Sequence, residues 1–382
     1  MRILHVSDRL SARGGADWHL LAVLRGLARE HRVEIAVGRS DGTVRAPPCP
    51  VSFVPGLDDP RDGDAAVDAL ERLANSMAPA VIHVHNAIGP AVLEWAARRG
   101  AVMTVQDHRC FCPGRGKLTL AGAPCGQAMS EAACAPCFED SGYGSSMLKL
   151  TARRLEAVCA MGRITVLSRY MRRELVAAGV DGERVVVIPP PIHGLDRSAR
   201  ASGPTCVLFA GRLVRAKGVD DAVRAWRRSG TDLPLVFAGT GPERGRLEQQ
   251  GFAVLGWVPH EQLSAVYRRA RALILPARWQ EPFGIVGPEA LSMGVPVVAW
   301  QSGGVADWHP AAGALASDGG AEVGRFGRVV PWGDVAALAD ALAATVSQAP
   351  PTGAWLGADR FTEPPLLERL VEQYRLRGPR DA

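Results

Sequence analysis

Residues 2–30 read RILHVSDRLSARGGADWHLLAVLRGLARE. Arg2–Val6 is a short β-type run that ends in Ser7 and Asp8, and a loop containing Gly14-Gly15 follows. From Asp17 to Glu30 the apolar residues fall at Leu20, Leu21, Val23, Leu24 and Leu27, the spacing of one helix face. The order is strand, glycine turn, helix. It returns in the second half, with a strand at Val207–Ala210, a turn from Gly211 to Gly218 and a helix at Val219–Arg227. A strand feeding a helix through a glycine turn opens a parallel βαβ arrangement, so two α/β halves are predicted, each doubly wound around its own parallel sheet.

Working outward, the first half adds strands at Val33–Val37, Val81–Val84, Val102–Val105, Ile164–Leu167 and Arg184–Ile188. The second adds Leu235–Ala238, Phe252–Leu255, Ala272–Leu275, Val295–Ala299 and Gly327–Val330, with helices between. Pro189-Pro190-Pro191 and the unpatterned polar stretch after it mark a linker. The expected division is 1–190, a linker at 191–203, a second domain at 204–360, and a tail at 361–382. The tail carries helical spacing at Leu366, Leu367, Leu370, Val371 and Tyr374.

Composition narrows the function. The chain has 382 residues, 47% hydrophobic and 22% charged, which excludes disorder for most of it. Its 42 Gly, 28 Pro and 8 Cys exclude collagen-like and small disulfide scaffolds. The net charge of +5 is matched by residues 145–200 alone, where ten Lys/Arg face five Asp/Glu. That is too weak for a nucleic-acid partner. It reads as a solvated helix face, or as a basic face toward an anionic acceptor or lipid headgroups. The N-terminal stretch lacks the apolar core of a signal peptide, and no run of about 18 apolar residues occurs. The expectation is a cytoplasmic protein with at most peripheral membrane contact.

Residues 278–300 read RWQEPFGIVGPEALSMGVPVVAW. Pro282 disfavours helix at Glu281, while Pro288 fits a first helical turn and Gly294 a helix end. Glu281 is therefore expected on a loop and Glu289 just inside a short helix. The N–H groups of Gly284, Ile285 and Val286 would face an anion. Upstream, AGRLVRAKG places Arg212 and Lys217 where they can clamp a diphosphate. Lys217 is conspicuous because only Lys117 and Lys149 accompany it in the whole chain.

Gly211-Arg212-Leu213, Lys217-Gly218, Gly239-Thr240-Gly241-Pro242, Gly256-Trp257-Val258 and the pair Glu281/Glu289 with Pro-Phe-Gly between them resemble the family 4 glycosyltransferases of the GT-B fold. The resemblance covers nearly the whole chain. It implies two Rossmann-like domains facing across a cleft, a last helix crossing back to the first domain, and retaining transfer from a nucleotide diphosphate sugar with no metal in the chemistry. By the same resemblance Arg212 and Lys217 would hold the diphosphate and Glu289 the ribose hydroxyls. Glu281 with the backbone of Phe283, Gly284 and Ile285 would hold the sugar. Gly15 and Gly239 would approach the donor, and Val258 would lie near the base. One departure is Asp307, where relatives often carry Glu.

The first half is less explicit. Gly14-Gly15-Ala16-Asp17 resembles the family's glycine loop. His85 follows a strand end, where it reads either as a ligand contact or as a satisfied core residue. The next strand ends in Gln106-Asp107-His108, where relatives commonly have His-Asp at the first two positions. Gln donates a hydrogen bond but carries no proton near pH 7. Gln106, Asp107 and His108 are the candidate catalytic residues there, together with Glu281 from the second half. The acceptor is expected to be a small molecule or lipid-linked. Two other readings stay open: a nucleotide-sugar epimerase or hydrolase, and a partner subunit without catalysis.

Five of the eight cysteines fall between residues 110 and 137. Cys134 and Cys137 have zinc-knuckle spacing, and with Cys112 and Cys125 they supply four thiolates for a structural zinc, Cys110 or His108 being possible substitutes. Reduced thiols, or disulfides and a redox role, are the alternatives. A subset of the family is similar in carrying Cys-Pro and a later Cys-x2-Cys here.

Overall fold

A computed structural model of the chain describes residues 1–61, 63–196, 203, 205–315, 324–349, 351 and 356–376. The chain divides into two compact units: Met1–Pro191 together with the segment from Glu363 onward, and Ile192–Thr362. The expected linker lies partly outside the described residues, at 197–202.

Unit 1 is built on strands β1 (Arg2–Leu10), β2 (Arg32–Ser40), β3 (Val51–Phe53), β4 (Val81–Val84), β5 (Val102–Val105), β6 (Arg163–Val166) and β7 (Val185–Val187). Its helices are α1 (Gly15–Leu27), α2 (Asp64–Met77), α3 (Pro90–Arg98), α4 (Glu131–Cys134), α5 (Ser141–Cys159) and α6 (Arg169–Ala177). Unit 2 has β8 (Cys206–Ala210), β9 (Leu235–Ala238), β10 (Ala253–Val254), β11 (Ala270–Leu275), β12 (Val297–Trp300) and β13 (Gly327–Val330). Its helices are α7 (Val219–Ser229), α8 (Arg244–Gln249), α9 (Leu263–Arg269), α10 (Val286–Ser292) and α11 (Val335–Ser347). The last helix, α12 (Glu363–Leu376), belongs to unit 1.

The sheets run β3-β2-β1-β4-β5-β6-β7 and β10-β9-β8-β11-β12-β13, with every named pair parallel. Counted within each unit, both follow the doubly wound order 3-2-1-4-5-6, unit 1 adding one strand at its edge. The order reverses between β1 and β4 and between β8 and β11, and such reversals open crevices at the strands' carboxyl ends. The central strands are apolar runs such as VVAW in β12, buried on both faces, as parallel sheets require.

Several local expectations shift. β1 does not stop at Asp8, because Ser7, Arg9 and Leu10 continue the ladder against Val37, Arg39 and Ser40 of β2. α1 begins at Gly15, two residues before the apolar pattern. β3 was not expected; Val51-Ser52-Phe53 is a three-residue edge strand, too short for its alternation to single it out. The cysteine-rich segment contains α4, a 3-10 turn at Ala135–Cys137 and a bridge between Leu118 and Pro124.

Helix α12 joins the core of unit 1 because Leu366, Leu370 and Tyr374 share its buried face and pack in one cluster with Ile3, Leu20 and Leu24. Each such side chain contributes roughly 1.5–3 kcal/mol on burial. The Tyr374 hydroxyl lies 2.7 Å from His83 Nδ1, and His83 Nε2 lies 2.7 Å from the Thr104 hydroxyl. His5 Nδ1 lies 2.9 Å from His85 Nε2. Burial pushes the His5 imidazole down to about 3 and holds His83 and His85 well below the ordinary histidine value, so all three rings are neutral at pH 7. Both His83 nitrogens are engaged, whereas His5 Nε2 and His85 Nδ1 are buried without a hydrogen-bond partner, and one nitrogen from each of the three rings lies within 4.8 Å of the others.

Candidate active site

In unit 2 the loops that leave β8 and β11 meet at the strand-order reversal. The first carries Arg212 and Lys217, the second Arg278 to Glu281. They are tied at the backbone, since Arg278 and Trp279 both donate to the Ala216 carbonyl at 3.0 Å. Gly218 permits the approach: its φ is +75°, and a Cβ there would sit 1.7 Å from the Pro276 carbonyl oxygen. The fully buried Asp221 of α7 accepts from Arg278 Nε at 2.5 Å and so braces the second loop.

Within this frame Lys217 Nζ donates to Glu281 Oε1 at 2.6 Å. Glu281 is 2% exposed. Lys217 Nζ also stands 4.5 Å from the centre of the Trp279 ring, and Arg212 Cζ 5.8 Å from it, so two cations lean on one indole. The Glu281 backbone is clamped as well: its carbonyl accepts from Gly304 N–H at 2.7 Å and its own N–H donates to the Ser302 hydroxyl at 3.3 Å. A Cβ on Gly303, whose φ is +50°, would lie 2.3 Å from the Glu281 carbonyl oxygen. The structure therefore brings Arg212, Lys217 and Glu281 together.

Glu289 is not hydrogen-bonded into that cluster. It is buried on the seven-residue α10, where the Tyr267 hydroxyl donates to its Oε2 at 2.8 Å and His260 Nδ1 lies 4.0 Å from its Oε1. Burial raises its carboxyl above the usual range, against the opposing pull of His260 and Tyr267. Gly284, with φ +82°, follows the buried Phe283, whose carbonyl accepts from the Trp308 indole at 2.5 Å. Ile285 caps the start of α10. Gly239 pairs with Gly256 in an isolated bridge, and Val258 is half-buried two residues on. Asp221, Tyr267, Trp279 and Ser302 were not anticipated. A buried acid and its arginine share no sequence spacing, so only the fold reveals them.

In unit 1 Gly15 is the first residue of α1. Gln106 and Asp107 follow β5, and Gln106 is 6% exposed with both amide atoms lacking a hydrogen-bond partner. Asp107 accepts from the Arg109 N–H at 2.9 Å and from its Nε at 2.7 Å. His108 is buried, with Nε2 3.0 Å from the Tyr170 hydroxyl and its ring against Phe111. It does not line the recess that Gln106 and Asp107 share with His85 and Asn86. Burial holds the His108 imidazole at about 4, so it is uncharged at pH 7.

Cys112, Cys125, Cys134 and Cys137 line one recess with Lys117, whose ammonium donates to the Gln127 carbonyl at 2.7 Å and pairs with Glu174 at 3.0 Å. All eight cysteines are free thiols. Burial raises the Cys134 and Cys137 thiols above their ordinary value. Cys110 is buried and does not line that recess. Among the described residues, no helix is long and apolar enough to cross a membrane.

Two parallel α/β units of this strand order define the GT-B class of glycosyltransferase, and solved structures agree. The crystal structure of HepE from Anabaena in complex with UDP-glucose matches 98% of this chain and 100% of that one, with a TM-score of 0.66 at 16% identity. Sucrose-phosphate synthase from Thermosynechococcus elongatus matches 98% of each chain, with a TM-score of 0.67 at 18% identity. The chain belongs to the family 4 glycosyltransferases: the model described as Glycosyltransferase Family 4 matches residues 13–193, and that described as Glycosyl transferases group 1 matches residues 195–346. Among curated relatives, the glycogen synthase of Mycobacterium tuberculosis is 35% identical over 117 residues, 28% of either chain. The alpha-D-kanosaminyltransferase of Streptomyces kanamyceticus is 33% identical over 110 residues, 26% of this chain and 28% of its own. These curated matches thus span under a third of either relative.

Proposed function

We propose that the protein moves a glycosyl group from a nucleoside diphosphate sugar to an acceptor held by unit 1, with retention at the anomeric carbon. The observation that carries this reading is the Lys217–Glu281 contact at 2.6 Å, with Arg212 beside the same indole, where the sheet order of unit 2 reverses. A bound diphosphate would compete for Lys217 and Arg212 and release Glu281 to accept hydrogen bonds from sugar hydroxyls. The pair is thus a resting state poised for partner exchange. The HepE complex with UDP-glucose supports a donor of this kind.

In the proposed step the bond from the anomeric carbon to the diphosphate oxygen breaks. The acceptor oxygen forms its bond on the same face, and its proton passes to the departing diphosphate. Lys217 and Arg212 stabilise the charge that develops there, which is where preorganised cations contribute most, so the chemistry needs no metal. Gln106 orients hydroxyls by hydrogen bonding and carries no proton. Anomer-resolved NMR of the product from an α-linked UDP-sugar tests this: an α product is expected, and a β product would refute retention. Donor consumption at full rate without acceptor would favour the hydrolase alternative.

The four thiols that share a recess suit a structural zinc. When bound, that ion would crosslink the segment between Cys112 and Cys137 without touching the transfer chemistry. Elemental analysis is expected to find about one zinc per chain, and a stable metal-free protein would remove the idea.

A further inference from the structure

At the carboxyl ends of β4 and β5, unit 1 contains an open recess whose lining includes Asn86, Gln106, Asp107, Arg109 and Arg154. Arg154 stands on α5, on the same face as the buried Thr151 and Val158, and is itself only 4% exposed. Its guanidinium donates to three backbone carbonyls: Ile88 at 2.7 Å, Pro60 at 3.4 Å and Arg109 at 3.5 Å. Among the described residues no carboxylate oxygen lies within 4.0 Å of it. A guanidinium has five N–H donors, so two remain unused.

The neighbouring charges compensate it only in part. Asp107 makes its ion pair with Arg109 at 2.7 Å and acts on Arg154 only at longer range, so two guanidiniums share one carboxylate. Two amides beside it are also unanswered: Gln106 has no partner for either side-chain atom, and Asn86 has none for its Nδ2. Buried polar groups are almost always satisfied, and buried charges almost always paired. Unused donors and a guanidinium with no ion pair of its own therefore converge on this open recess.

We infer that this recess seats an oxyanion, a carboxylate or a phosphate, carried by the acceptor, with Arg154 as its counter-charge and Asn86 and Gln106 as flanking donors. The word acceptor rests on the glycosyl-transfer reading; the anion site does not.

The test uses calorimetry on the full chain with UDP present at saturation, so that Lys217 and Arg212 are occupied. Three probes are titrated: glucose 1-phosphate, glucuronate and methyl glucoside. At least one anionic sugar is expected to bind tenfold or more tightly than methyl glucoside, and R154Q should erase that preference while a separate UDP titration stays unchanged. Preference for glucose 1-phosphate names a phosphate, and preference for glucuronate names a carboxylate. Equal binding of the neutral sugar, or a preference that survives R154Q, overturns the inference. If R154Q fails to fold, the wild-type comparison decides alone. Loss of UDP binding with the anion preference intact would instead sink the transferase reading and leave this site standing.

Discussion

The two units share one strand order and handle charge in opposite ways. Unit 2 keeps its functional charges paired: Lys217 with Glu281, Arg278 with Asp221, Glu289 with Tyr267. Unit 1 buries uncharged imidazoles, bare amides and one guanidinium that bonds only to backbone carbonyls. Paired charges hold a loop in one geometry until a stronger partner arrives, which suits a site that grips one constant group. Unanswered donors leave energy for whatever enters, which suits a site whose ligand supplies the missing half.

Acid should separate the units most. His5, His83, His85 and His108 of unit 1 all have folded values below the ordinary 6.5, against His309 at about 4 among the corresponding groups of unit 2. A histidine whose folded value is depressed binds its proton only in the unfolded chain, so stability is full above 6.5 and falls as pH drops toward the folded value. For His5 alone the loss between pH 7 and pH 5 is about 2 kcal/mol. Hydrogen exchange at pH 5 should therefore show unit 1 opening before unit 2. Simultaneous opening would contradict the contrast.

Glu281→Gln should lower transfer by about 100-fold, in line with losing one preorganised electrostatic contact, while circular dichroism reports an intact fold. Wild-type turnover would show that the Lys217 pair is only structural. The smallest effect is expected from Tyr267→Phe, which leaves the buried Glu289 carboxylate one donor short and should cost about 1–3 kcal/mol of stability in urea unfolding. No change would mean that Glu289 is served by His260 alone.

Most of the scaffold was legible before any coordinates. The bounds of β4, β5 and β9 match the apolar patterns that predict them, and α12 forms where the tail carries helical spacing, because central parallel strands and an amphipathic helix write their burial into residue type. The polar end of β1 and the short β3 were not legible, since only pairing with β2 makes them strands. At the site, Lys217 and Glu281 stood out by scarcity and by the prolines and glycines around them. Tyr267 and Asp221 did not, because nothing local names a partner 22 or 57 residues away. Arg154 left a signal that was missed: with Thr151 and Val158 it falls at helical spacing on an otherwise buried face, where a cation is out of place.

Helix α12 has a consequence for biosynthesis. Unit 2 is an excursion nested between two stretches of unit 1, whose core is closed by Leu366, Leu370 and Tyr374. As the ribosome extends the chain, the later-made unit holds all its own strands before the earlier one can seat its final helix. Maturation order is thereby inverted relative to synthesis order, and until that helix emerges the nascent seam around His83 lacks its tyrosine cover.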